Sequence, residues 1–249
     1  MSNKAVLSMS GGADSSVLLY MAANEGYDEI HTLTFDYNQR HKREIDCVAK
    51  QLDNIRKQFP DKLFTNKILD VSYISQLAPS SSLTNKAIAN PDINKIAGDA
   101  QPVSYVPFRN MMFLSICCAN AESVGAPSVL YGSAQVDSLA GYWDGSTEYI
   151  DNFNNLIALN RVSKIEIKAP LLKMSKAQIV REGVKLGVNF ADTWTCYSDR
   201  ADGLADATTP SSSLRIRGFL EAGFKDPIKY MQQDRVDKLY ITYKCKDIL

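Results

Sequence analysis

Ser10-Gly11-Gly12-Ala13-Asp14-Ser15-Ser16 decides the fold. The apolar run Ala5 to Met9 leads into it. Ser15 to Ala23 follows, with apolar residues at helical spacing until Gly26 closes the run. A short buried strand therefore turns through two glycines directly into a helix. Glycine permits positive φ and close approach of the backbone to a ligand. The helix start offers unpaired N–H groups and a positive dipole end, and Ser10, Ser15 and Ser16 add hydroxyls. Together they make a cradle for a pyrophosphate. An ordinary Ser/Gly turn with an Asp or Ser cap would use the same residues, but the carboxyl edge of a first parallel strand favours a ligand site. The loop has neither the Gly-Lys-Ser/Thr ending of a P-loop nor the G-x-G-x-x-G of a dinucleotide fold.

Outward from the loop, strands and helices alternate. Ile30 to Phe35 reads as a second strand. Glu44 to Phe59 is a helix with Ile45, Val48, Leu52 and Ile55 on one face, and Leu63 to Val71 is a third strand. Pro79 to Pro107 breaks the pattern as an excursion over the active face. Met111 to Val124 resumes as a helix, Ser128 to Gly132 as a strand, Glu148 to Leu159 as a helix and Ile165 to Ile167 as a short strand. Ser175 caps a helix over Lys176 to Leu186, which Gly187 ends. Thr193 to Ser213 reads as loop, Arg215 to Glu221 as helix, and the tail from Asp237 is ambiguous. The pattern predicts an α/β fold with a doubly wound five-stranded parallel sheet. Residues 1–171 are expected to form the α/β domain that carries the loop, and 172–249 a smaller helical lobe packed on it.

The 249 residues suffice for such a core; 45% are hydrophobic and 22% charged, which excludes disordered and fibrous classes. Lys plus Arg and Asp plus Glu are 28 each, so the chain lacks the basic excess of a nucleic-acid coat. No apolar run reaches the roughly 18 residues of a membrane span, and Ala5-Val6-Leu7 is too short for a signal-peptide core. Five cysteines without a tight pattern read as reduced thiols of a cytoplasmic protein.

The loop resembles the SGGxDS signature of the PP-loop ATP pyrophosphatases, which make an adenylate from ATP and release pyrophosphate. Further stretches narrow the likeness. They are Leu33 to His41 with Arg43-Glu44, Tyr105 to Asn110, Gly132, Asp137, Gly141 to Asp144, Phe153-Asn154, Pro170-Leu171 with Ser175-Lys176, Thr193-Trp194-Thr195-Cys196-Tyr197, Ala222-Gly223 and Asp226-Pro227. In this order they resemble the 7-cyano-7-deazaguanine synthase family of queuosine biosynthesis, from about Ala5 to Pro227. The resemblance implies a ligase that adenylates 7-carboxy-7-deazaguanine, couples it to ammonia and dehydrates the amide to the nitrile.

The resemblance also implies roles. ATP would lie against Met9, Ser10, Gly11, Gly12, Ala13, Asp14, Ser15, Ser16, Val17, Leu18 and Leu19, with Phe35 and Asp36. Asp14 would act partly through Mg2+, since a bare carboxylate repels phosphates. Bringing two anions together needs cations. Arg109 and Lys176 are the candidates, catalytic with Asp14, and Arg40 joins Asn110, Gly132, Asp137, Tyr142 and Asp144 on the substrate. Bland roles stand beside these. A lone Arg or Lys is usually solvated, and Asp36 could face the adenosine or cap a turn. His41 could be a base or a structural histidine, Asp137 and Asp144 turn formers, and Tyr142 and Trp143 stacking or packing aromatics. A homodimer is implied as well.

The likeness fails at the zinc cysteines. Cys196 matches the first of four, but the next three fall near Asp206, Thr209 and Ser212. Thr and neutral Ser are weak zinc ligands, so zinc is expected to be absent. Gly145 stands where the family has a cysteine, and Asn38 where it has glycine, a position Asn tolerates. These departures leave open a variant that stops at the amide or joins the activated deazaguanine to a protein amine.

Overall fold

The computed structural model describes residues 3–39, 42–85, 87–89, 102–135, 142–196 and 202–248. Five parallel strands run β1 (Lys4–Ser8), β2 (Glu29–Asp36), β3 (Leu63–Asp70), β4 (Ser128–Leu130) and β5 (Glu166–Lys168). Their spatial order is β3-β2-β1-β4-β5. The register pairs Ala5 with both Ile30 and Ser128, and Phe35 with Leu69. The order reverses between β1 and β4, which is where open α/β sheets form a ligand crevice at the carboxyl ends of the strands. The doubly wound fold read from the alternation is the fold observed.

β1 reads as one apolar run because it is buried on both faces. Ala5 and Leu7 join one core cluster and Val6 the other, as a side-chain period of two requires. On the first face lies α1 (Ala13–Asn24), whose residues from Ser15 to Tyr20 are all buried. Outside it packs α6 (Lys176–Leu186), capped by a Ser175–Gln178 capping box. A Cβ on Gly183 of α6 would lie 2.7 Å from Val17 of α1 and 2.4 Å from Phe190, so the absent side chain sets this close approach. Helix α2 (Arg43–Gln58) covers β2 with Val48, Leu52 and Ile55 buried. The second face carries α4 (Arg109–Val124) and α5 (Thr147–Ile157), with a short α3 (Tyr73–Leu77) beside them.

Two stretches differ from the sequence expectation. The span Thr193 to Ser213, expected as loop, contains the start of α7 (Pro210–Ala222). Thr209 accepts a hydrogen bond from the N–H of Ser212, and Pro210 sits where a missing N–H costs nothing. The weak propensity of the serines hid a well-capped start. A helix α8 (Gln233–Thr242), anchored by buried Val236 and Tyr240, starts four residues before the ambiguous tail and runs into it. Together these helices close a third core cluster with Trp194, Cys196 and Tyr230.

Candidate active site

The carboxyl ends of β1, β2 and β4 open into one cavity of about 270 Å³. Met9, Ser10, Gly12, Ala13, Asp14 and Ser15 border it from the β1–α1 turn. Phe35, Tyr37 and Gln39 do so from the end of β2, and Arg109, Asn110 and Phe113 from α4. Tyr131, Gly132 and Ser133 follow β4, Tyr142, Asp144, Gly145 and Thr195 add to the wall, and Ser8, Glu44, Leu83 and Ser104 line it as well.

The turn is preorganised. Gly11 has φ 86°, and a Cβ there would fall 2.0 Å from the carbonyl oxygen of Glu44 in α2. Ser10 Oγ lies 3.1 Å from Ser15 Oγ and accepts from Gly12 N at 3.2 Å. Ser16 Oγ donates to Gly12 O at 2.8 Å. The N-cap of α1 is Gly12, with no side-chain cap among the described residues. The first-turn N–H groups are thus left for a ligand.

Asp14 Oδ2 pairs with Lys176 Nζ, at the first residue of α6. Its Oδ1 is buried with no hydrogen-bond partner among the described residues. A hard, unpartnered carboxylate oxygen beside a phosphate cradle fits Mg2+, which usually takes one or two carboxylates plus phosphate oxygens. Lys176 borders a separate small cleft with Asp14, Thr195 and Arg215 rather than the main cavity.

At the start of α4, Arg109 Nη1 donates to Tyr37 Oη and its Nε to Asn110 Oδ1, both at 3.2 Å. Phe108, just before Arg109, holds a left-handed φ of 53° that a bulky residue rarely adopts, and its N–H donates to Tyr105 Oη. Trp143 Nε1 donates to the same hydroxyl at 2.9 Å, tying the start of α4 to the 142–145 turn. In that turn Asp144 is 3% exposed, and its Oδ1 has no partner among the described residues. Burial pushes its carboxyl pKa up. The Arg109 charge, a backbone hydrogen bond and one from Asn110 pull the other way. Ser133 Oγ is likewise buried and unpartnered. Buried polar atoms are nearly always partnered, and among the described residues three that border this one cavity carry such an atom without a partner.

The remaining expected residues are divided between the cavity wall and other parts of the chain. Val17, Leu18 and Leu19 lie in the core behind the loop. Asp36 lies outside the cavity wall: it accepts from Asn38 N at 3.0 Å and from Lys42 Nζ at 2.9 Å, closing the turn in which Asn38 adopts φ 62°. Phe35 does border the cavity and stacks on Phe113 at 4.0 Å between ring centroids. Gly132 lies close beside Ser15, and Tyr142 Oη is 2.7 Å from Ser104 Oγ. Arg40, His41 and Asp137 lie outside the described residues. Sequence reasoning gave no site role to Tyr37, Gln39, Ser133 or Thr195. The first three sit within three residues of the carboxyl ends of β2 and β4, a position that would have flagged them.

The family model for Queuosine biosynthesis protein QueC matches residues 4–223 of this chain. The chain belongs to the QueC family. Among its relatives, the 7-cyano-7-deazaguanine synthase of Clostridium kluyveri is 39% identical over 235 residues, which cover 91% of this chain and 97% of that one. The enzyme of the same name from Campylobacter jejuni is 40% identical over 92% of this chain and 99% of its own. Among solved structures, NMN synthetase from Francisella tularensis superposes with a TM-score of 0.49 at 15% identity, over 97% of this chain and 85% of that one.

In this QueC-family chain the positions expected around zinc do converge, but on hydrogen bonds. Cys196 Sγ accepts from Asp206 N at 3.3 Å and lies 3.7 Å from Thr209 Oγ1. Thr209 Oγ1 is 2.9 Å from Ser212 Oγ. The Asp206 carboxylate is engaged by Thr208, through N–H at 2.9 Å and hydroxyl at 2.7 Å. One thiol and two neutral hydroxyls do not fit the thiolate and imidazole ligands of a structural zinc.

Proposed function

We propose that this chain is an ATP-dependent, carbon–nitrogen bond-forming ligase that converts 7-carboxy-7-deazaguanine and ammonia into 7-cyano-7-deazaguanine. A single observation carries the reading: one cavity is bordered both by a serine–glycine loop and by a buried carboxylate beside an arginine. The first suits a triphosphate. The second suits a guanine-like base that carries its own carboxylate, because Asp144 can accept from the N1–H and exocyclic amine while Arg109 offsets the acid.

A free carboxylate resists attack because its oxygen is a poor leaving group. Attack of that oxygen on the α-phosphorus of ATP forms an acyl adenylate and expels pyrophosphate. Ammonia adds to the carbonyl carbon, loses a proton and displaces AMP, which leaves the amide. In a second round the amide oxygen attacks the α-phosphorus of another ATP and expels pyrophosphate, and the adenylated imidate then loses AMP and its remaining N–H protons to give the nitrile. Mg2+ bound through Asp14 Oδ1 would neutralise phosphate charge. The chain's own contribution is to position: Ser10, Ser15 and the start of α1 hold phosphates, Lys176 neutralises the second oxygen of Asp14, and Asp144 and Tyr142 orient the base.

The test is mass spectrometry of the products formed from 7-carboxy-7-deazaguanine and MgATP, with and without ammonium. Amide or nitrile formed only with ammonium supports the proposal. Failure with ammonium, together with consumption of a peptide amine, would assign the activated acid to a protein acceptor instead. ATP bound without any pyrophosphate release would mean a nucleotide-binding subunit.

A further inference from the structure

Behind the cavity wall a single guanidinium organises the loop segment that flanks the phosphate loop. Arg215, on α7, is 4% exposed, and five hydrogen bonds account for its five N–H groups. Nε donates to Asp226 Oδ2 at 2.6 Å and Nη2 to Asp226 Oδ1 at 3.0 Å. Nη2 also donates to Phe190 O at 3.1 Å, and Nη1 to Thr193 Oγ1 at 2.8 Å and Thr195 Oγ1 at 3.2 Å. Asp226 is fixed in turn by Tyr230 Oη at 2.8 Å.

The polarity of these bonds matters. Arginine donates and cannot accept, so Thr195 Oγ1 is the acceptor and its own proton must go elsewhere. Thr193 sends its proton to Phe190 O at 2.8 Å, whereas Thr195 has no acceptor for its proton among the described residues. Thr195 borders the main cavity together with Ser10 and Asp14. Its neighbour Trp194 donates its N–H to Gly11 O at 3.1 Å, locking this segment to the phosphate loop.

We propose that Thr195 is a phosphate-binding residue, its O–H held ready to donate to a nucleotide phosphate because Arg215 occupies its oxygen. Arg215 is then a positioning residue that acts through Thr195. This rests on the reading that the serine–glycine loop binds ATP. Lysine could not replace Arg215, since three donors on one nitrogen cannot serve five acceptors spread over a plane.

The experiment measures MgATP affinity by calorimetry for the intact chain and for T195V, T195S, R215K and the T195V/R215K pair, with circular dichroism confirming the fold. T195V keeps the shape and loses the hydroxyl, so affinity falls about tenfold or more, the range for a hydrogen bond to a charged group. T195S stays within about threefold of the parent. R215K weakens binding in the Thr195 protein and adds little in the T195V background. Parent-like affinity in T195V overturns the phosphate role of Thr195 while leaving the ATP reading standing. Equal losses from R215K in both backgrounds overturn the positioning role. Should the parent itself fail to bind MgATP, both the inference and the reading beneath it fall.

Discussion

Asp144→Asn sets stability against function in a way that can be measured. Asp144 carries a buried carboxylate whose Oδ1 has no partner among the described residues, and burial raises its pKa despite the nearby Arg109. Leaving a buried polar atom unsatisfied costs about 1–3 kcal/mol, more when it is charged. Arg109 and Asn110 offset part of that, so removing the charge should stabilise the fold by roughly 1 kcal/mol at neutral pH. The sign follows from linkage. A folded-state pKa above the unfolded value means the native state holds its proton longer, so stability falls as pH rises from the ordinary carboxylate range through the elevated value. Urea denaturation of parent and variant should therefore coincide near pH 4 and diverge in favour of the variant toward pH 7. Steady-state turnover should show the opposite ranking: an amide donates where the carboxylate accepted, and KM for 7-carboxy-7-deazaguanine should rise at least about tenfold. A stability difference that does not change with pH, or an unchanged KM, would refute the reasoning.

Other outcomes follow from the same geometry. Gly11→Ala should destabilise the chain by roughly 2–4 kcal/mol and cost most of the MgATP affinity, because left-handed φ and a carbonyl at 2.0 Å from the new Cβ both oppose it; urea melts and calorimetry measure the two effects. Lys176→Ala should abolish pyrophosphate release while leaving the circular dichroism spectrum unchanged, since a partly exposed ion pair contributes little to stability. Arg215→Leu should cost about 3–5 kcal/mol by leaving the Asp226 carboxylate buried and unpaired, whereas joint replacement of both partners should cost less. Chelation should leave the melting temperature in place and elemental analysis should find no stoichiometric zinc, because Cys196, Asp206, Thr209 and Ser212 are joined by hydrogen bonds.

The parts of the site that lie next to each other in the chain were legible. Gly11, with its positive φ, and the uncapped start of α1 could be read from seven consecutive residues, because strand, turn and helix follow one another there. Asp144 and Tyr142 could be named only through resemblance, since nothing in Trp143-Asp144-Gly145 by itself separates a buried carboxylate from a turn former. Asp36 carried the same ambiguity, and its bonds to Asn38 and Lys42 fit the turn-closing alternative. Thr195 and Arg215 stand twenty residues apart in the chain, on a loop and on a helix, and no local pattern links them.

The sequence by itself determined the alternation of strands and helices, and with it a parallel sheet and a phosphate-loop turn, because hydrophobic period and glycine conformation are local properties. Only the tertiary structure decided which polar atoms are deprived of water and partners. That Asp14, Ser133 and Asp144, each with a buried unpartnered oxygen among the described residues, border one cavity, and that Arg215 uses all five donors behind it, depends on packing between distant segments. Burial and hydrogen-bond satisfaction are properties of that packing, and no single segment contains them.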